Sequence, residues 1–160
     1  MKEIIMMVGM PCSGKSTFIE KFSNKFNDYV VISTDNIIEA RAKEQGKTYN
    51  EIFKDEIKSA TKEMNEQLVQ AIQNGDNIIW DQTNLTIKSR NSKLSNIPKD
   101  YQKVAMYVET DLETVKARNT RPGKIIPESV IDNMWSSIEV PSITEGFHAV
   151  LNTLIFKDRL

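Results

Sequence analysis

The feature that most constrains this chain is a short apolar run followed at once by a glycine-rich segment. Residues Glu3–Val8 (EIIMMV) predict a strand buried on both faces of a parallel sheet. Residues Gly9–Thr17 (GMPCSGKST) fit the pattern G-x-x-x-x-G-K-[ST], directly after that strand and before a predicted helix. The two glycines let the backbone curl so that its N–H groups face phosphate oxygens. The sequence therefore predicts a nucleotide phosphate site at this loop.

The side chains of this loop predict its ligands. We expect Lys15 to reach the β- and γ-phosphates of ATP, and the Ser16 hydroxyl to bind Mg²⁺. The full set of expected nucleotide-binding residues is Gly9, Pro11, Cys12, Ser13, Gly14, Lys15, Ser16 and Thr17. The structural alternative is an ordinary glycine-rich turn between a strand and a helix.

Composition limits the classes of protein that remain. The 160 residues carry a net charge of -1, which suits one domain over residues 1–160 and excludes a globally basic nucleic-acid binder. The single cysteine, Cys12, allows no intramolecular disulfide and favours a reducing, cytoplasmic setting. No apolar run approaches the roughly 20 residues of a membrane span. The first residues are expected to form a strand and not a signal peptide.

Strand and helix patterns alternate along the rest of the chain. Further strands are predicted over Tyr29–Ile32, Asn77–Trp80, Val104–Val108 and about Val150–Phe156. Helices are predicted over Lys15 to about Phe26, Asn50–Gln73, Asp111–Arg118 with Asp111 as N-cap, and from Pro127 onward. This alternation predicts a three-layer α/β fold with a mainly parallel, five-stranded sheet and functional residues at the carboxyl ends of its strands.

Two carboxylates are expected at that edge of the sheet. Asp35 follows the second strand in the run STDN, where it could accept a proton from a hydroxyl or simply cap the next helix. Asp81 follows the third strand in DQTNL, where it could hold a Mg²⁺-bound water, orient an acceptor-side group, or only form a turn.

A basic segment, Arg118–Lys124, surrounds a Pro-Gly turn after the fourth strand. It predicts a mobile lid over about residues 118–127, whose arginines neutralise charge on a phosphoryl group when the lid closes. A solvated basic surface is the alternative.

A guanine-specific switch protein is disfavoured because no Asn-Lys-x-Asp motif follows a late strand. The nearest match, Asn24–Asn27, lacks the Asp and lies in the first predicted helix.

Taken in order, these motifs resemble the P-loop kinase family that includes phage polynucleotide 5′-hydroxyl kinase and, more distantly, zeta toxins and small-molecule hydroxyl kinases. The resemblance spans nearly the whole chain and rests on Gly9–Thr17, Asp35, Asp81–Leu85, Arg118–Lys124 and Pro127. It implies a kinase-type P-loop fold with a helical lid, with ATP and Mg²⁺ as cofactors. It also implies transfer of the ATP γ-phosphate to a 5′-hydroxyl of DNA or RNA, in repair of nucleic-acid ends.

The resemblance also assigns residues. It implies Asp35 as general base and Arg121, or else Arg118, as the lid arginine on the phosphates beside Lys15. The acceptor-side set that it implies is Asp35, Arg41, Asp81, Thr83 and Asn84. The family carries an arginine where this chain has Ile38, so Arg41, one turn further on, is the candidate replacement. If the chain is phage-encoded, it would act in the host cytoplasm.

Two alternatives to a polynucleotide 5′-hydroxyl kinase stay open. One is a kinase of the same fold acting on a small hydroxyl compound such as a nucleoside or a nucleotide sugar, which Ile38 favours. The other is a non-catalytic nucleotide-binding module that signals through lid closure.

Overall fold

Strands and helices alternate along the described chain, residues 1–154 of a computed structural model. The five strands are β1 (Lys2–Val8), β2 (Tyr29–Ile32), β3 (Asn77–Trp80), β4 (Tyr101–Tyr107) and β5 (Ala149–Asn152). The α-helices are α1 (Lys15–Lys21), α2 (Thr34–Gln45), α3 (Tyr49–Asn74), α4 (Ile87–Leu94), α5 (Leu112–Arg118) and α6 (Glu128–Ser137). A 3₁₀ turn covers Ile143–Glu145.

All neighbouring strands are parallel, in the order β2-β3-β1-β4-β5. The central strand β1 pairs Ile5 with Ile79 of β3 on one side and with Val104 of β4 on the other. The carboxyl ends of β1, β2 and β3 therefore meet at one edge of the sheet. The predicted three-layer fold with a five-stranded parallel sheet is confirmed.

Both faces of the sheet are covered because successive side chains of β1 point to opposite sides. Ile4 and Met6 pack on the face covered by α3, which contributes an apolar stripe at helical spacing, Ala60, Met64, Leu68 and Ala71. Ile5 and Met7 pack on the other face, against Phe18 and Ile19 of α1. These two cores fix β1, and with it the loop that follows at Gly9. Within residues 1–154, no helix combines the length and apolarity needed to cross a membrane.

Local capping sets the start of the two helices nearest the site. The Ser33 side chain accepts a hydrogen bond from the Asn36 N–H and opens α2 directly after β2. Thr48 and Glu51 form a reciprocal capping box that opens α3. The Tyr49 hydroxyl at the start of α3 donates to Asp35 at the start of α2, so both helix N-termini lie at the edge where β2 ends.

Several predicted boundaries differ from the structure. Helix α1 ends at Lys21 and not near Phe26, because the following Ser-Asn-Lys run forms turns, which Ser and Asn side chains favour. Helix α4 was not predicted, and α2 was expected only as a helix that Asp35 could cap, because neither helix has a clear apolar stripe. The lid, residues 118–127, is helical only at Arg118, the last residue of α5, because Pro122-Gly123 and Pro127 interrupt helical backbone. The last strand ends at Asn152, and predicted strand residues 155 and 156 lie outside the described part of the chain.

Candidate active site

A cavity of about 1870 Å³ opens at the carboxyl edge of the sheet. Its walls come from the phosphate loop, the start of α2, the first turns of α3, the residues after β3, the lid and α6. The sequence-predicted residues that the structure brings together there include Lys15, Asp35, Asp81, Arg118 and Arg121. These residues come from four separate parts of the chain.

The phosphate loop has the tight backbone that its glycines predict. A Cβ on Gly9 would lie 2.9 Å from both the Ser13 hydroxyl and the Val108 carbonyl oxygen, so only glycine fits. Cys12 and Gly14 have positive φ angles of 60° and 102°. The Ser13 hydroxyl is buried and finds no hydrogen-bond partner in the described part of the chain. This cradle and its unsatisfied hydroxyl suit a bound phosphate chain.

Lys15 lies inside this loop with its amine on two loop carbonyls. Its Nζ donates to the carbonyl oxygens of Gly9 at 3.0 Å and Met10 at 2.7 Å. Burial lowers the pKa of Lys15 to about 8, against the opposing charges of Asp81 and Asp35. The amine is thus held at the loop by two neutral carbonyl oxygens, which the charged oxygens of a phosphate can replace.

The two carboxylates differ in their surroundings. Asp81 is 9% exposed, and burial raises its pKa, although Lys15 opposes the shift. Asp35 has a side chain that is 54% exposed. It accepts a 2.6 Å hydrogen bond from the Tyr49 hydroxyl and lies 3.4 Å from the Lys124 amine. Asp35 is therefore the carboxylate that an incoming acceptor can reach, and Asp81 lies deeper, beside the phosphate loop.

The donors near the phosphate loop also suit magnesium. The Ser16 hydroxyl and the Asp81 carboxylate supply hard oxygen atoms to the same cavity. Among residues 1–154 no cluster of three or more His, Cys, Asp or Glu side chains could hold a metal ion alone. Mg²⁺ characteristically binds to one or two protein oxygens together with substrate phosphates and water. Ser16 and Asp81 would hold it in that manner, with nucleotide phosphates completing the shell.

The cations of the lid contact two different elements, the phosphate loop and helix α2. The Arg118 guanidinium lies over the phosphate loop, 3.4 Å from the Ser13 carbonyl oxygen and 3.5 Å from that of Cys12. Arg121 and Lys124 each contact the Glu39 carboxylate of α2 at 2.6 Å. Arg118 is accordingly the lid arginine nearest the phosphate loop, whereas Arg121 faces α2.

The lid is attached to the first turn of α3. The Asn50 N–H donates to the Gly123 carbonyl oxygen at 2.8 Å, and the Asn50 side-chain amide donates to that of Ile125 at 3.0 Å. Lys124 also lies over the Tyr49 ring, 4.6 Å from its centroid. These contacts hold Lys124 beside Asp35.

The remaining predicted acceptor-side residues are placed unequally. Thr83 lines the cavity, and its carbonyl oxygen accepts a 3.0 Å hydrogen bond from the Gly9 N–H. Asn84 is only 2% exposed and does not line the cavity. Arg41 lies outside the cavity, in ion pairs with Glu56 at 2.5 Å and with Glu63. Arg41 sits between α2 and α3 because two glutamates of α3 attract it there, so the structure does not bring it to the acceptor side.

Sequence reasoning missed other residues at or under the site. Glu39 and Tyr49 contact lid cations and Asp35, yet nothing in their local sequence marks them. Arg90 and Lys93 lie beneath the loop after β3, on the unpredicted helix α4. The signal for Arg90 in the sequence is weak: it is an arginine five residues after the D-x-T-N-L motif, on an otherwise polar helix.

A phosphate loop after the central strand, carboxylates at the ends of the next two strands and a basic lid together define a P-loop kinase fold. A family model described as an AAA domain matches residues 4–141, and the chain belongs to that family. Among curated proteins, the chain is similar to L-seryl-tRNA(Sec) kinase from Methanococcus maripaludis, with 30% identity over 145 residues. That match covers 86% of this chain and 53% of the relative, so the chain spans about half the length of the relative.

Solved structures share the fold at low sequence identity. A protein from Chloroflexus aurantiacus J-10-fl superposes with a TM-score of 0.71 at 14% identity, over 95% of this chain and 88% of that one. Shikimate kinase from Acinetobacter baumannii superposes with a TM-score of 0.58 at 16% identity, over 99% of this chain and 96% of that one. Likeness at this level concerns the fold, and it leaves the acceptor of this chain open.

Proposed function

We propose that this chain is an ATP-dependent kinase that transfers the γ-phosphate to a hydroxyl group held beside Asp35. One observation carries the proposal: an exposed carboxylate, Asp35, opens into the same cavity as Lys15 and the lid arginines. A carboxylate so placed can accept the proton of an attacking hydroxyl, and the cations offset charge on the transferred group.

The chemistry assigns each residue one task. Asp35 accepts the proton as the acceptor oxygen bonds to phosphorus, and the bond from phosphorus to the bridging oxygen of ADP breaks. Lys15 and Arg118, which lie against the carbonyl oxygens of the phosphate loop, would contact the phosphates from the loop and from the lid. Ser16 and Asp81 would hold Mg²⁺, which supplies charge neutralisation at the phosphates.

For the acceptor, the proposal is the 5′-hydroxyl of a DNA or RNA end. Two arguments support it: the ordered set of motifs that resembles polynucleotide 5′-hydroxyl kinases, and the similarity to a kinase named for L-seryl-tRNA(Sec), whose acceptor is carried on RNA. A net charge of -1 leaves only local cations for a nucleic acid, so binding should involve the end of a strand and few phosphates.

A second candidate is a kinase of the same mechanism acting on a small hydroxyl compound. The position of Arg41 favours it, because this cation is paired with two glutamates and Ile38 is completely buried. Beside Asp35 the cavity is lined instead by Tyr49 and Phe53, which suit a compact, partly apolar acceptor.

One assay separates the candidates. The protein is incubated with γ-³²P-labelled ATP and, in turn, a 5′-hydroxyl oligonucleotide, seryl-tRNA, a nucleoside panel, a sugar panel or buffer, with Lys15→Ala as the inactive control. Label on the oligonucleotide supports the first candidate, and label only on a nucleoside or sugar supports the second. Label on seryl-tRNA alone would replace the 5′-end with an aminoacyl hydroxyl as acceptor. Nucleotide binding without transfer to any acceptor would refute the kinase proposal and favour a signalling module.

A further inference from the structure

The segment that carries Asp81 and Thr83 has no regular secondary structure, although its end is deeply buried. We refer to residues 81–85 as the β3 loop. It is attached directly to the phosphate-loop region at two points: the Gly9 N–H donates to the Thr83 carbonyl oxygen at 3.0 Å, and the Asn84 side-chain amide donates to the Met7 carbonyl oxygen at 2.7 Å. Any shift of the β3 loop therefore moves Asp81 relative to Lys15.

Asn84 is the residue that anchors this loop to its surroundings. It adopts a left-handed backbone with φ of 48°, which a non-glycine residue keeps only when its surroundings hold it. Two side chains of α4 supply that hold. Arg90 donates to the Asn84 carbonyl oxygen at 2.9 Å, and the Lys93 amine donates to the Asn84 side-chain oxygen.

Arg90 is itself immobilised. Its side chain is completely buried and forms a two-pronged ion pair with Glu145, at 2.7 Å and 3.0 Å. Glu145 in turn accepts a hydrogen bond from the Ser142 N–H at 2.8 Å. The guanidinium thus presents its remaining nitrogen to Asn84 from a rigid position.

Lys93 extends the contact toward the acceptor side. Its amine donates to Gln82 at 2.8 Å and lies 5.3 Å from the centroid of the Trp80 ring. Gln82 then donates from its side-chain amide to the Thr34 hydroxyl at 3.1 Å, next to Asp35 in the chain. One amine accordingly connects the β3 loop with the start of α2.

From this geometry we infer that Arg90 and Lys93 are positioning residues, which hold the β3 loop so that Asp81 and Thr83 keep their places against the phosphate loop. Neither residue lines the cavity, so neither contacts substrate directly. The inference rests on the proposed kinase function. It also assigns a role to the motif residue Asn84, whose backbone and side-chain oxygens accept the hydrogen bonds that connect the loop to α4.

Lys93→Met is the informative substitution. It keeps the length of the side chain and removes both hydrogen bonds to the β3 loop. It also removes a buried amine whose charge burial disfavours, lowering its pKa to about 8, and this gain in stability offsets the cost of leaving the Asn84 side-chain oxygen without a donor. Lys88→Met, on the exposed face of the same helix, is the matched control, and Lys93→Gln, which keeps a donor, is the conservative variant.

The measurements are kcat, the KM for ATP, the Mg²⁺ concentration that gives half-maximal rate, the melting temperature and amide hydrogen exchange of residues 81–85. For Lys93→Met we expect kcat to fall by about 10- to 100-fold, as for other residues that orient ligand-bearing groups. The half-maximal Mg²⁺ concentration and exchange of the β3 loop should both rise, with an unchanged or higher melting temperature. Lys93→Gln should recover part of kcat, and Lys88→Met should match the wild type.

Three results would overturn the inference. They are an unchanged exchange rate in residues 81–85, faster exchange with no change in kcat, and a fall in kcat matched by a loss of secondary structure. Should the wild-type protein phosphorylate no acceptor, the proposed function fails separately. Exchange of the β3 loop and its response to Mg²⁺-ATP binding then decide the positioning role alone.

Discussion

Gly123 offers the sharpest test of how the lid is held. It has φ of +75°, and a Cβ built on it would lie 2.5 Å from the Thr48 Cβ and 2.6 Å from its methyl carbon. Its carbonyl oxygen accepts the hydrogen bond from the Asn50 N–H. Gly123→Ala should therefore weaken the contact between the lid and α3, which lies next to Lys124 and Asp35.

The expected cost has two parts. A non-glycine residue in left-handed backbone costs about 1–2 kcal/mol, and forcing a methyl group into a filled position costs about 1–3 kcal/mol more. The total of roughly 2–5 kcal/mol falls on lid docking, because the segment is exposed and can swing away instead of unfolding the sheet. At about 1.4 kcal/mol per factor of ten, the ratio of docked to undocked lid falls by about 25-fold or more.

Two controls separate these parts. Gly46→Ala has a similar φ of +62° but nothing within 4 Å of the added methyl, so it carries the backbone cost alone and leaves the lid in place. Thr48→Gly combined with Gly123→Ala removes the collision, and glycine at this N-cap costs only a few tenths of a kcal/mol. The double variant should recover the part of lid docking that the collision removes.

The assay pairs lid accessibility with turnover. Trypsin cleavage after Lys124 should become faster in Gly123→Ala, kcat should fall by more than tenfold, and the melting temperature should change little. If Gly123→Ala matches Gly46→Ala in both cleavage rate and kcat, the lid is not held through this contact and the reasoning is wrong.

Three further outcomes are expected. Asp35→Asn should lower kcat by about 10²- to 10⁴-fold with an unchanged ATP Kd by calorimetry; a weakened Kd with intact kcat would make Asp35 a nucleotide contact. Arg90→Ala should lower the free energy of unfolding by about 3–5 kcal/mol, because Glu145 is left buried and unpaired, whereas Arg90→Met with Glu145→Leu should recover most of it in urea titrations. Burial lowers the pKa of Lys93 to about 8 from 10.5, so the native state releases its proton first and stability gains from this residue as pH rises through that window. The free energy of unfolding of Lys93→Met, relative to that of the wild type, should accordingly fall between pH 7 and pH 10; a constant difference would contradict the shift.

The phosphate loop could be predicted in detail because its requirements are local. Gly9 and Gly14 meet backbone needs that no other residue meets, and the flanking strand and helix follow from short-range patterns. The two carboxylates followed from the rule that parallel strands end at a shared edge, which placed Asp35 and Asp81 in one cavity.

Arg41 shows where such reasoning stops. Counting one turn from Ile38 places it on the correct helix, but the direction of a long cation is set by whichever carboxylates pack nearby. Those carboxylates, Glu56 and Glu63, belong to α3 and reach α2 only in the folded chain. A long-range ion pair of this kind leaves no trace in the spacing of the residues around Arg41.

Asn84 shows a second limit of sequence-based prediction: a motif does not tell which of its residues contact a ligand and which anchor the backbone. The D-x-T-N-L run predicted a row of acceptor contacts, but its residues divide their tasks: Asp81 and Thr83 line the cavity, while Asn84 turns inward to Met7 and the side chains of α4. A loop that must hold a carboxylate beside a phosphate site needs buried anchors as much as exposed ligands, and both kinds of residue belong to the same motif. Burial separates them, because a polar side chain that is 2% exposed and fully hydrogen-bonded fixes backbone and has no capacity left for a substrate.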